Sequence, residues 1–126
     1  MKLRTNYTCP LELVHDIIKG KWKTILIFHL KDGKCSFSEL FKKTNGITQK
    51  MLLEQLGELK EFGLVDKKSY NGYPLKVEYF LTDRGEKLLP AIKIMQEIGI
   101  DYMIEYNMNE YLEEKRIPHS FIYTKK

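Results

Sequence analysis

Cysteine is scarce in this 126-residue chain: there are two, Cys9 and Cys35, far apart and without a CxxC pair. That excludes a disulfide framework and a thiolate zinc site, and it predicts reduced thiols. The three histidines, His15, His29 and His119, share no metal-ligand spacing with one another or with the cysteines. No metal and no cofactor is therefore expected. Long apolar runs are also missing, since none approaches the roughly 20 residues of a membrane span. The opening residues, MKLRTNYTCPLELVHD, lack the uncharged apolar stretch of a signal peptide. A cytoplasmic protein without a membrane partner is the expectation. Absent too are a glycine-rich phosphate loop, a nucleophile elbow and a close His–carboxylate–Ser grouping, so no enzyme activity is expected.

What the chain does have is positive charge in one place. The net charge is +4, yet residues 1–18 are neutral and residues 77–126 carry −2. Residues 19–76 hold twelve lysines against six Asp or Glu, giving +6. A phosphate-binding region concentrates its charge in this way. A lysine-rich solvated face would look the same, so composition alone leaves the two readings even.

The positive region contains the most legible stretch, residues 45–65, NGITQKMLLEQLGELKEFGLV. Thr48 suits the N-cap of a helix, and Gly63 suits the residue just past its end. Leu52, Leu56 and Leu59 recur at four and three residues and so share one face. At about 100° per residue, Lys50, Glu54, Gly57 and Glu61 fall opposite, with Gln49 and Leu53 on the shoulder. Any amphipathic surface helix shows this pattern, so its neighbours must decide what it is for.

Those neighbours are ordered as follows. Residues 1–9 read as an irregular arm. Pro10 opens a first helix with Leu11, Leu13, Val14, Ile17 and Ile18 on its apolar side. Trp22, Ile25, Leu26, Phe28 and Leu30 predict a second, core helix. Asp32-Gly33 marks a turn, and Cys35 to Phe37 a very short strand. Ser36 or Ser38 caps a third helix over residues 39–43, and a short turn containing Gly46 leads into the helix described above. Two helices so joined match a helix-turn-helix. Residues 64–70 and 76–81 read as strands flanking an Asn71-Gly72 hairpin, a wing that carries Lys67, Lys68 and Lys76. Thr82 or Asp83 caps a long last helix, with Glu86 in capping-box register to Asp83. Pro90 predicts a kink or a fresh start. Ile92, Met95, Ile98, Gly99, Tyr102, Met103 and Tyr106 then form more apolar surface than a small domain needs from its last helix, which predicts a dimerisation element. The tail, residues 109–126, has no clear period.

The fold class expected is mainly α with a small β-hairpin, a winged helix-turn-helix with a long C-terminal dimerisation helix. Residues 1–126 form a single domain in this reading: arm 1–9, DNA-binding core 10–82, helix 83–108, tail 109–126.

At this point the motifs resemble a family, the HxlR-type transcriptional regulators, which are related to the MarR group. The resemblance rests on Cys9-Pro10, Gly20-Lys21-Trp22 and Phe37-Ser38-Glu39-Leu40. It continues through the residue 46–52 run GITQKML, Gly63-Leu64-Val65, Val77-Glu78-Tyr79 and Leu81-Thr82. It implies a homodimeric bacterial DNA-binding regulator without catalytic activity. Three positions depart from the family pattern. Pro74-Leu75-Lys76 stands where Pro-Pro-Arg is common, Lys67 where arginine is frequent, and Ile98 where tryptophan is frequent. Lysine meets a phosphate without the planar bidentate fork of arginine.

On this reading, helix 48–62 enters the major groove of a pseudo-palindromic double-stranded DNA site, with hairpin 64–81 as wing. Gln49 is placed to address adenine, Lys50 guanine or phosphate, Glu54 a cytosine amino group and Leu53 a thymine methyl. Thr48 suits a phosphate; Ser38, Lys42 and Lys43 clamp the backbone from the preceding helix; and Lys67, Lys68 and Lys76 act from the wing. Cys9 stands at a helix start, where the dipole favours thiolate. The resemblance adds sensing of electrophiles or oxidants at that position, against an inert helix-start residue. Cys35 reads as a packing residue, a resolving partner only if Cys9 of either chain comes within reach. A small-molecule effector or an oxidant is left open as a further partner. The rival reading is a winged-helix module for protein–protein contacts, without sequence-specific DNA binding.

Overall fold

In the computed structural model, residues 2–72 and 74–108 are described. Five helices and three strands follow one another as α1 (Pro10–Ile18), α2 (Lys23–His29), β1 (Cys35–Ser36), α3 (Phe37–Lys43), α4 (Gln49–Glu61), β2 (Val65–Tyr70), β3 (Lys76–Leu81) and α5 (Asp83–Glu105). This is the mainly helical winged arrangement that the sequence predicts. The chain divides into two units, Met1–Leu89 and Pro90–Lys126, each described here by itself. The expectation for residues 109–126 lies outside the described residues.

In the first unit, α2, α3, α4 and β2 supply the fully buried side chains: Leu26, Ile27, Leu30, Leu40, Leu52, Leu56, Leu59 and Val65. The face of α2 differs from the one expected. Trp22, Lys23, Leu26, Ile27 and Leu30 are buried, while Ile25 and Phe28 are only half-buried. Positions 23, 26, 27 and 30 are spaced as a helix face requires, and a lysine occupies the first of them. Lys23 keeps its charge by pairing with Glu58 of α4, Nζ to Oε1 at 3.3 Å.

The ends of the helices are set by side chains. Ser36, not Ser38, caps α3: its Oγ accepts from the Glu39 N–H (3.1 Å), and the Glu39 carboxylate accepts from the Ser36 N–H (3.2 Å). Only Ser36 has a glutamate three residues on, which is what the reciprocal box needs. That hydrogen bond from the Ser36 backbone is the main reason the Glu39 carboxyl titrates below its ordinary value. Thr48 caps α4 by accepting from the Met51 N–H at 3.1 Å. At the other end, Gly63 has φ +72°. The Leu64 N–H donates to the Leu59 carbonyl (2.9 Å), and the Gly63 N–H to that of Lys60 (3.0 Å). This pair of bonds is a Schellman closure. Thr82, not Asp83, caps α5, accepting from the Gly85 N–H at 3.2 Å. With Thr82 as cap, the third helical residue is Gly85, so the expected Asp83–Glu86 box does not form.

The sheet is antiparallel in the order β1-β3-β2. Val65 pairs with Leu81 and Tyr70 with Lys76 at the two ends of the hairpin. Cys35 and Ser36 pair with Tyr79 and Glu78. The N-terminal arm has no helix or strand, but it is tied to α1. Arg4 meets Asp16 at 3.0 Å and Glu12 at 2.9 Å, and the Tyr7 hydroxyl donates to Asp16 at 2.7 Å. The Tyr7 hydroxyl first, and then Arg4, hold the Asp16 carboxyl below its usual range.

In the second unit, α5 continues through Pro90 without a break in assignment. Proline removes one backbone donor but does not end the helix, so the fresh start allowed by the sequence is not taken. Among the described residues no helix is long and apolar enough to cross a membrane.

Candidate nucleic-acid interface

The turn between α3 and α4 is built from the inside. Thr44 is buried, and its hydroxyl donates to the Leu40 carbonyl at 2.7 Å. With that proton committed, the contact between Thr44 Oγ1 and His29 Nδ1 at 3.0 Å is assigned as Nδ1–H donating. Gly46 takes φ +88°, and Ile47 is buried beyond it. The chain thus turns sharply while both helices keep their apolar sides inward.

The result is that α4 buries Leu52, Leu56 and Leu59 and exposes Gln49, Lys50, Leu53, Glu54 and Gly57. Leu53 is 59% exposed, unusual for a leucine on a helix with a full apolar stripe elsewhere. A Cβ added to Gly57 would meet nothing within 4 Å, so the helix backbone there is open to close approach. Because Thr48 uses only the Met51 N–H, the N–H groups of the first turn remain directed outward at the helix start.

Every residue expected to contact DNA is exposed: Ser38, Lys42 and Lys43 on α3, Thr48, Gln49, Lys50, Leu53 and Glu54 at α4, and Lys67, Lys68 and Lys76 on the wing. They are not all equally available. Lys43 turns its ammonium onto Cys35, Nζ to Sγ at 3.4 Å. On the wing, Lys68 and Lys76 both stand over the Tyr70 ring, at 5.2 and 5.7 Å from its centroid. Lys76 also lies 4.0 Å from Glu78. Hydrogen bonding to the Glu78 carboxylate is the leading cause that holds the Tyr70 phenol above its ordinary value. Lys67 pairs with Tyr79 across the ladder and Lys68 with Glu78, so the two lysines point to opposite faces of the hairpin. One lysine escaped the sequence reading: Lys34 stands 5.9 Å over the Phe80 ring. Its place follows from the β1–β3 pairing, which no local pattern reveals.

His29 has a measurable consequence. Burial, with Lys43 and Lys31 nearby, lowers its pKa to about 4. An unfolded chain takes up the proton near the ordinary value of 6.5, whereas the folded chain resists until about 4. Stability should therefore fall as pH drops from 6.5 to 4 and lose nothing further to this group below that. The ring is only half-buried, so the loss is about 1–2 kcal/mol after solvent screening. Urea midpoints across this range should show it, and His29→Asn should flatten the profile.

Cys9 is exposed at the N-cap of α1 and makes no side-chain cap bond. Cys35 is buried in β1, as its packing role predicts. Among the described residues no group of three or more His, Cys, Asp or Glu could hold a metal.

A capped helix-turn-helix with an outward polar face, followed by a lysine-bearing wing, defines the class of winged helix-turn-helix regulators. Comparison with known proteins gives the family. Residues 17–107 match the HxlR-like helix-turn-helix family. The chain is 48% identical over 94 residues to the HTH-type transcriptional regulator YdeP of Bacillus subtilis (strain 168), covering 75% of this chain and 73% of that protein. Among solved structures, the redox regulator HypR in its oxidised form has a TM-score of 0.69 at 46% identity, covering 72% of this chain and 94% of that one. The reduced form of the transcriptional regulator YodB from B. subtilis has a TM-score of 0.64 at 33% identity, covering 71% and 89%. The chain belongs to the HxlR family and is a transcriptional regulator, not an enzyme.

Proposed function

We propose that two copies of this chain pair through α5 and bind a pseudo-palindromic operator in the cytoplasm, each placing α4 in a major groove with the β2–β3 hairpin as wing. The observation that carries this reading is the split of α4 into a fully buried leucine stripe and an exposed face of Gln49, Lys50, Leu53 and Glu54. Lys50 reads a base, and Lys67 neutralises a phosphate. Selection from random duplex DNA should recover half-sites about one helical turn, ~34 Å, apart. Lys50→Ala should then change the preferred sequence and cost about 1–3 kcal/mol. Lys67→Ala should weaken all sequences alike and reduce the salt slope by about one. If no sequence is enriched and binding vanishes at moderate salt, a protein-contact module replaces the operator reading.

Pairing is supported by a stripe on the second unit. Ile94, Met95, Ile98, Tyr102 and Tyr106 are all exposed. Tyr102 and Tyr106 stack with ring centroids 6.1 Å apart. Gly99 opens space within the stripe. Ile92 and Met103, expected in the same stripe, stand differently: Ile92 is buried within its own chain and Met103 is half-buried. Ile98→Glu should convert a dimer to monomer by sedimentation analysis while leaving the first unit folded.

Thiol response is the third part of the proposal. Cys9 is exposed at a helix start, and similar proteins carry the names redox regulator HypR and diamide-treated YodB. Diamide should alter operator binding of the native chain and leave Cys9→Ser unaffected.

A further inference from the structure

We propose that a groove in the first unit, walled by α1, the end of α4 and the start of α5, binds a small aromatic carboxylate. The groove has a volume of about 340 Å³, within the range of small-molecule sites, roughly 300–1,000 Å³. Its walls are apolar: Val14 and Ile18 from α1, Phe62 at the end of α4, and Leu88 from α5. No residue of α1 is fully buried, so this side of the helix is incompletely covered by the chain itself. Phe62 supplies a ring against which a second aromatic group can pack.

Two cations complete the lining, Arg84 and Lys87. They are three residues apart on α5 and so lie on one face. Both are exposed, and among the described residues neither has an ion-pair partner. Arg84 is anchored, its Nη1 donating to the Phe62 carbonyl at 3.2 Å. That bond fixes the guanidinium at the edge of the groove while leaving further N–H donors for a ligand. An apolar slot with a fixed guanidinium and an ammonium beside it selects a ligand with a flat apolar body and a negative end. A neutral hydrocarbon would leave the cations without use, and an inorganic anion would leave the apolar walls without use.

Phe62 is also the residue that closes α4. A ligand packed on Phe62 and drawing on Arg84 therefore acts on the end of the helix assigned to the groove of DNA. Its role as an effector rests on the operator reading; its binding does not.

The test uses the full-length chain and 2-naphthoate, with 2-naphthylmethanol as the uncharged counterpart, by titration calorimetry without DNA. Saturable binding of one naphthoate per chain is expected, with the alcohol roughly tenfold weaker. Lys87→Gln should weaken naphthoate roughly threefold. Val14→Trp, at a partly exposed position that tolerates bulk, should fill the groove and abolish binding. Absence of saturable binding overturns the site. So does binding that Val14→Trp leaves intact, and so does a Val14→Trp chain whose only change is its oligomeric state, which makes the groove a contact between copies. Duplex retention with and without naphthoate then reads the effector role. Naphthoate binding that never moves DNA affinity overturns that role, whereas a chain that binds naphthoate but no duplex condemns the operator reading alone.

Discussion

Gly85→Ala should lower stability by about 2–4 kcal/mol, the sign opposite to that of most glycine-to-alanine changes in helices. A Cβ at Gly85 would collide with the Leu64 carbonyl oxygen and press the Leu81 side chain. That oxygen is not free to move, because it accepts from the Thr82 N–H at 3.1 Å. Beside it, the Thr82 hydroxyl donates to the Gly63 carbonyl and accepts from the Gly85 N–H. Shifting Leu64 therefore loosens the closure of α4 and the cap of α5 together. Gly57→Ala is the control: it adds a methyl group to open space on an exposed helix and should gain up to about 1 kcal/mol. Urea unfolding followed by Trp22, the single tryptophan, compares the two directly. If both glycine variants unfold within about 0.5 kcal/mol of the native chain, the close approach at Leu64 is not a constraint on the fold.

Lys23→Ala should cost about 3 kcal/mol, a large effect for a surface-type residue. Lys23 is 4% exposed and bonds Glu58, which retains more contact with water. Removing the cation leaves a carboxylate facing the core interface of α2 and α4, where desolvation is only partly offset. Replacing both partners, Lys23→Met with Glu58→Gln, should recover most of the loss, because the pair exists to satisfy itself rather than to add net stability. The double-mutant cycle measures the coupling. A coupling energy near zero would show that the Lys23 stem, rather than its charge, is what α2 needs.

The difference between these two residues explains how far the sequence could be read. The wing, the caps Thr48 and Gly63 and the α4 leucine stripe were legible because each is a local rule: a hydroxyl before a helix, a glycine after it, a repeat of three and four. Lys23 was missed because the apolar residues around it, Trp22, Ile25 and Phe28, invite a broader face than the narrow 23, 26, 27, 30 stripe that the core accepts. Gly85 was missed because its reason lies 21 positions away, at Leu64. The eleven candidate DNA-contact residues were all legible as exposed, yet their availability was not. Lys43 is drawn to Cys35, and Lys76 to Glu78 and Tyr70, through pairings between distant segments.

Ser36 joins two parts that contact DNA in the proposed complex. It is the cap of α3 and, through its pairing with Glu78, the neighbour of the middle strand of the wing. The distance from the turn before α4 to the hairpin is therefore set by a single residue common to both. It works as a ruler: a groove-reading helix and a backbone-touching wing can then meet the duplex only at one separation along its axis. Widening or narrowing of the minor groove beneath the wing becomes legible to a protein that never touches those bases, a preference written in DNA shape.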